Sequence, residues 1–447
     1  MSVQTATYPR IAPTRPTDRL PPWGYLEWFV VLQTALGILS FIPGLGPFRL
    51  LVRILPFATA FLPFFMRSPF RKTPLPAEGL LIGVMVVYAV AFFHPQTNSF
   101  MSGVAQVGLN LAIIAPAFWG PQMIYGPRQI RRLLVILLVV CGIDSGVGIL
   151  QVYNPQRYIP ADLLAQMEDL KANGRVYQGA DGQDIMRPPG LSNNPGAACA
   201  SGMLGGLLAI SFLLGRTALL LRLYCLATLF LGTAVIYMSM VRTALLVMCG
   251  MCVVLCLLNV LQGRVGKAVL VLAVAAGGCV AGLIYAVALG GDAVEARYST
   301  IVDQNPASLY YNSRGAGVQQ TFTTTIFEYP VGAGLARWGQ MRSYFGDESN
   351  TNSPPLFAEI QFPCWILDGG FALLLLYVIA IVSTLRMEIH LARTARDPEL
   401  QSIAATICAL SCGLASMCFS FVPFVCQFGV IFWLLAGVLY GASKRVK

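Results

Sequence analysis

Apolar runs of close to twenty residues recur along the chain, separated by short connections rich in arginine, proline and glycine. A helix of that length crosses a hydrocarbon core of about 30 Å. Twelve runs are expected as spans, over 25–42, 48–66, 77–93, 100–118, 133–153, 196–214, 219–238, 243–261, 268–289, 363–385, 403–421 and 424–442. Pro43, Pro47, Arg49 and Pro56 interrupt the first two, which read equally as one re-entrant pair. The short alternating segments of a membrane β-barrel are absent. The pattern predicts an all-α polytopic membrane protein of about 12 transmembrane helices, a single domain over 1–447 without internal repeats.

Composition agrees with the pattern. The 447 residues are 56% hydrophobic and 11% charged, against roughly 25% charged in soluble domains. Residues 1–22 lack the apolar core of a signal peptide and are expected as a short cytoplasmic tail. The net charge of +10 suggests nucleic acid until its placement is read. Most of the 30 basic residues fall in alternate connections: Arg10 to Arg19, Arg67 to Lys72, Arg128 to Arg132, Arg216 and Arg222, Arg264 and Lys267, Arg386 to Arg396, and Lys444 to Lys447. That asymmetry marks the cytoplasmic side, so both termini are expected there and no nucleic-acid partner is called for. The twelve cysteines lie in apolar runs or at their edges, where disulfide staples are not expected. Cys249, Cys252 and Cys256, like Cys408 and Cys412, have helical spacing, but no histidine or carboxylate joins them. They read as small packing residues rather than metal ligands.

Two polar loops then fall on the opposite side. The smaller, 154–195, holds Arg157, Lys171, Arg175 and Arg187 and an expected amphipathic helix over 159–172. The larger, 290–362, is the longest polar stretch between apolar runs. Arg187-Pro-Pro-Gly-Leu-Ser-Asn-Asn-Pro195 leads into a small-residue span. Gly190, Ser192, Asn193 and Asn194 are placed to cap that helix, which with Arg187 would form an anion site. Arg242 sits where one span turns straight into the next; it either faces inward or snorkels to headgroups. Asp144 lies inside a span between Gly142 and Gly146, to pair with an arginine or line a cavity, or else to bond a neighbouring helix. In the larger loop, Asn312-Ser-Arg314-Gly opens a polar helical run, and Tyr329-Pro-Val-Gly-Ala-Gly334 forms a tight reversal. Glu359 and Gln361 precede the return into the membrane at Asp368-Gly-Gly370.

This order of pieces resembles the bacterial O-antigen ligase and polysaccharide polymerase superfamily. The segments that carry the resemblance are Arg187 to Pro195, Ser239-Met-Val-Arg-Thr-Ala244, Ser313-Arg-Gly315, Tyr329 to Gly334 and the returning segment before Gly370. The resemblance implies glycosyl transfer in the bacterial inner membrane, on the periplasmic face, without cofactor, metal or nucleotide sugar. The donor would be an undecaprenyl-pyrophosphate-linked glycan and the acceptor a sugar hydroxyl, with a chain-length regulator or export proteins as partners. Arg187, Arg242 and Arg314 would grip the diphosphate, supported by Asp144, Asn193, Arg337 and Gln361. Ligases of that superfamily place a histidine eleven residues before the glycine of the returning segment; here that position is Glu359, and the only histidines are His94 and His390. The resemblance therefore makes Glu359 the candidate general base, while an exposed carboxylate or a partner for an arginine is the alternative. Polymerisation is favoured, with ligation to another acceptor or transport of lipid-linked sugars as alternatives. A transporter would concentrate charge near mid-membrane.

Overall fold

The computed structural model describes residues 22–41, 48–66, 73–159, 164–165, 167–192, 194–215 and 217–445. The architecture is all-α apart from one small hairpin. Among the described residues, eight helices are long and apolar enough to cross a membrane, and four apolar helices are shorter. The chain is a multi-pass membrane protein by the length and composition of these helices. The short helices are α1 (Tyr25–Ala35), α2 (Arg49–Thr59), α3 (Glu78–Ala91) and, later, α8 (Ala198–Leu213). Together the twelve fall on the twelve apolar runs. Pro56 lies inside α2, which stops after eleven residues.

Two groups of helices pack side by side. The first holds α5 (Pro127–Tyr153), α8, α9 (Leu219–Met238), α10 (Arg242–Leu261) and α11 (Val265–Asp303). Gly202 of α8 lets that helix press against α9, since a Cβ there would stand 2.4 Å from the Gly232 carbonyl oxygen. Small residues bring helices together this way where lipid removes the hydrophobic drive. The second group holds α3, α4 (Phe100–Met123), α14 (Gln361–Thr394), α15 (Pro398–Ser416) and α16 (Gln427–Arg445), and α10 packs on α15 to join the two. Leu257, Val269, Val280 and Ile284 are among many large apolar side chains left exposed, as a lipid-facing surface requires.

The polar segments are more ordered than loops. The stretch expected to begin as a loop at Gly290 is helical to Asp303, because α11 runs on through a kink at Gly291 (φ 58°, ψ −151°). Next comes α12 (306–328), in which π-helical turns Tyr311–Gly315 and Thr321–Thr325 interrupt α-helical geometry. Such turns re-aim side chains and recur at functional sites. A short helix, α13 (Gly339–Phe345), precedes the return into α14.

In the smaller loop the helix expected over 159–172 is seen at α7 (Met167–Ala172), after a single turn, α6 (Pro155–Tyr158). Residues 160–163 lie outside the described residues. The loop also holds an unexpected antiparallel hairpin, β1 (Val176–Gln178) with β2 (Asp184–Met186), Val176 opposite Met186. Its tip docks on the α11 kink: Ala180 N donates to the Leu289 carbonyl at 3.2 Å, and a Cβ on Gly291 would meet the Ala180 Cα at 2.8 Å.

Candidate functional site

The site is built from the Arg187 loop upward. Gly190 takes a left-handed φ of 64°, so the chain turns back immediately after Pro188 and Pro189. Two residues one heptad apart on the same face of α5 hold the turn. Gln151 accepts from Gly190 N at 2.8 Å and donates to the Gly190 carbonyl at 2.8 Å, while Asp144 accepts from Leu191 N at 2.5 Å and from the Ser201 hydroxyl. Asp144 is therefore bonded to the loop and to α8, the second of the two readings open from the sequence.

Among the described residues, the helix-start anion site expected from the sequence has no side-chain cap. The helix begins at Ala198, and the loop consumes the amides ahead of it: Gly196 N donates to the Arg187 carbonyl at 3.0 Å and Ala198 N to the Pro188 carbonyl at 3.3 Å. Asn194 takes no capping role, and Asn193 lies outside the described residues.

Arginines gather instead. Arg187 N donates to the Arg175 carbonyl at 3.0 Å, extending the hairpin ladder and setting the two arginines side by side. Met240, at φ 58°, makes the sharp α9–α10 hairpin. Its carbonyl accepts from Arg297 Nε at 3.3 Å, and Arg242 donates to the Thr300 hydroxyl at 2.7 Å. Arg242 is thus turned onto α11, beside Arg297. Burial and the charges of Arg297 and Arg175 push the Arg187 guanidinium below its ordinary pKa; burial and Arg175 do the same to Arg314. Arg242 and Arg297 also repel each other. Arg242, Arg297, Arg187, Arg175 and Arg314 thus form one chain of neighbouring positive charges.

Two buried donors within this cluster have no partner among the described residues: Arg187 Nε and the Tyr177 hydroxyl on β1. Tyr177 lies close enough to Arg187 to feel its charge. An unsatisfied buried donor costs about 1–3 kcal/mol. Among the described residues no carboxylate pairs with Arg175, Arg187, Arg242 or Arg297; the only neutralised member is Arg314, which pairs with Glu359. An anion here would relieve both the repulsion and the orphaned donors.

The remaining candidates stand apart. Arg337 is almost fully buried and donates to Gln96 Oε1 at 2.8 Å, the Ala333 carbonyl at 3.0 Å and the Pro354 carbonyl at 3.1 Å. It ties three segments together rather than facing a ligand. Gln361 is fully buried at the start of α14, where its Oε1 accepts from Phe424 N at 2.9 Å and its Nε2 has no partner among the described residues.

Two segments singled out in the sequence do meet. Helix α14 breaks at Gly369 and Gly370, and the 330–334 reversal seats in the break. Phe371 N donates to the Pro330 carbonyl at 3.0 Å and Ala333 N to the Leu367 carbonyl at 2.7 Å. Any Cβ on Gly370 would lie 2.1 Å from the Pro330 oxygen. Beside this junction Asp368, buried, accepts from Trp338 Nε1 at 2.8 Å, Gln106 Nε2 at 2.9 Å and the Tyr88 hydroxyl at 3.3 Å.

Sequence reasoning did not assign Arg175, Arg297 or Tyr177 to the site. Arg297 carried a signal, an arginine on a helix continuing from a span. Arg175 and Tyr177 enter only through a hairpin too short to read from its pattern. No family model matches the chain, and no curated protein matches it.

Proposed function

We propose that the chain is a membrane glycosyltransferase that polymerises polysaccharide from a lipid-linked diphosphate glycan donor. Both termini would lie in the cytoplasm and the arginine cluster on the periplasmic face, with all twelve apolar helices as spans; the placement of basic residues supports that sidedness. The observation that carries the reading is the group of five arginines, in which Arg187 Nε and the Tyr177 hydroxyl are buried without a partner among the described residues.

The chemistry follows from charge. A sugar hydroxyl of the acceptor attacks the anomeric carbon of the donor, and the bond from that carbon to the phosphate oxygen breaks. The diphosphate leaves with the bonding pair, and fixed guanidiniums stabilise the charge it gains. Arg187, Arg242 and Arg314 hold it, joined by Arg175 and Arg297. The hydroxyl proton goes to Glu359. That carboxylate is paired with Arg314, so a diphosphate that draws Arg314 to itself also frees the base. Donor binding and base activation would then be one event.

The test is the glycan profile of cells lacking the protein, complemented with wild type or Arg187→Ala. Single repeat units accumulating on the lipid carrier support the polymerase. Long unattached chains would indicate a ligase, and build-up on the cytoplasmic face a transporter; either result overturns the reading.

A further inference from the structure

We infer that the ends of α10 and α14 form a groove that binds an anionic phospholipid, its phosphate between Arg386 and Arg393. The groove, of about 680 Å³, is lined by Leu261 of α10 and by Arg386, Ile389, His390, Arg393 and Thr394 of α14. It shares no residue with the arginine cluster described above. Its frame is fixed, because Gln262 Nε2 donates to the Ala392 carbonyl at 2.9 Å and ties the end of α10 to α14.

The charges in the groove are uncompensated. Among the described residues, Arg386 and Arg393 have neither an ion pair nor a side-chain hydrogen bond, whereas nearby Arg264 is occupied by Gln262 and Gln401 at 2.9 and 2.8 Å. The one carboxylate between the two arginines in sequence, Glu388, is fully buried and accepts from Ser411 of α15 at 3.0 Å. It faces away from the groove.

What selects a lipid over a free anion is the surface leading to the arginines. Positions 375, 379, 382, 386, 389 and 393 share one helical face. Leu375, Ile379 and Val382 are exposed and apolar, and the face then turns basic at Arg386 and Arg393, with Ile389 between them. Leu257 and Leu261 extend the apolar strip on α10, both more than half exposed. Acyl chains fit such a strip. Seven residues of helix separate the arginines by about 10 Å along the axis, within reach for two long side chains converging on one headgroup. Guanidinium binds phosphate oxygens bidentately and is easily desolvated at an interface.

The test uses the purified full-length protein in detergent, titrated with phosphatidylglycerol, phosphatidylcholine or inorganic phosphate and read by native mass spectrometry. Phosphatidylglycerol should be retained in preference to phosphatidylcholine. The double variant Arg386→Gln/Arg393→Gln should lose roughly 30-fold in affinity for it. Arg386→Lys/Arg393→Lys should keep most of the binding, and the charge-matched control Arg128→Gln/Lys444→Gln all of it. Equal retention of both lipids by wild type would overturn the proposal even if the glutamine variant failed to fold. So would unchanged binding in that variant, or inorganic phosphate displacing phosphatidylglycerol at equal concentration.

Discussion

Two polar clusters of this protein contrast in one respect, the fate of their hydrogen-bonding groups. Among the described residues the Asp368 carboxylate accepts three hydrogen bonds, from Trp338, Gln106 and Tyr88, and the Arg337 guanidinium donates three, to Gln96, Ala333 and Pro354. Around Arg187 lie the like charges of Arg175 and Arg297, and among the described residues two buried donors have no partner. A satisfied network in a low-dielectric interior rigidifies the fold. An unsatisfied one costs stability, which a bound anion would restore. Burial alone would rank Arg337 above Arg187 as a site residue; satisfaction reverses the order.

Breaking the unsatisfied cluster should produce the largest effect on activity. Arg187→Ala is expected to lower polymer formation several hundred-fold, the scale of losing one fixed donor to a developing anion. Its melting temperature should stay level or rise, because an unpaired, half-buried charge has gone. Full polymer length in cells carrying this variant would remove Arg187 from the diphosphate site. Glu359→Gln should cost about 100-fold in turnover, measured with lipid-linked donor in vesicles. The informative readout is its pH profile, which should lose the limb that reports the base; an unaltered limb would leave Glu359 as no more than the partner of Arg314.

The satisfied cluster should respond in the opposite way. Asp368→Asn keeps the side-chain shape but turns one acceptor into a donor facing groups that already donate. A loss of about 2 kcal/mol in stability is expected, read as a lowered unfolding midpoint in detergent, with per-molecule activity of the folded fraction near wild type. A fall in activity without a fall in stability would move Asp368 into the working site and dissolve the contrast.

The sequence revealed the helices better than the site. Runs near twenty residues and alternating basic connections depend on local composition alone, so all twelve apolar helices were legible. Arg242 was legible as an arginine at the edge of a span, and Arg187 and Arg314 as arginines in the two polar loops. What could not be read was which donors would find partners. Arg337 and Arg187 look alike in sequence, each beside proline- and glycine-rich turns, and only tertiary contacts separate them. Nor was the continuation of α11 past Gly290 legible. Gly290-Gly291 followed by Asp292 and Glu295 reads as the end of a span; the helix survives because the hairpin tip packs on the kink and supplies Ala180 N to the Leu289 carbonyl.

That hairpin gives the smallest and most discriminating test. Tyr177 sits opposite Ile185 on the ladder, and its hydroxyl is buried near Arg187 with no partner among the described residues. If the hydroxyl only fills space, Tyr177→Phe removes an unsatisfied group and should stabilise the protein slightly, with no kinetic effect. If it donates to a bound diphosphate, the same substitution forfeits one hydrogen bond to an anion, about 1.5–3 kcal/mol at most. Affinity for the lipid-linked donor should then fall about ten-fold, seen as a raised KM at unchanged kcat, because the contact is made equally in the ground and transition states. The stabilisation and the raised KM should appear in the same variant. Stability gained with KM unmoved would make the orphaned hydroxyl a packing accident, and the anion site would then rest on the arginines alone.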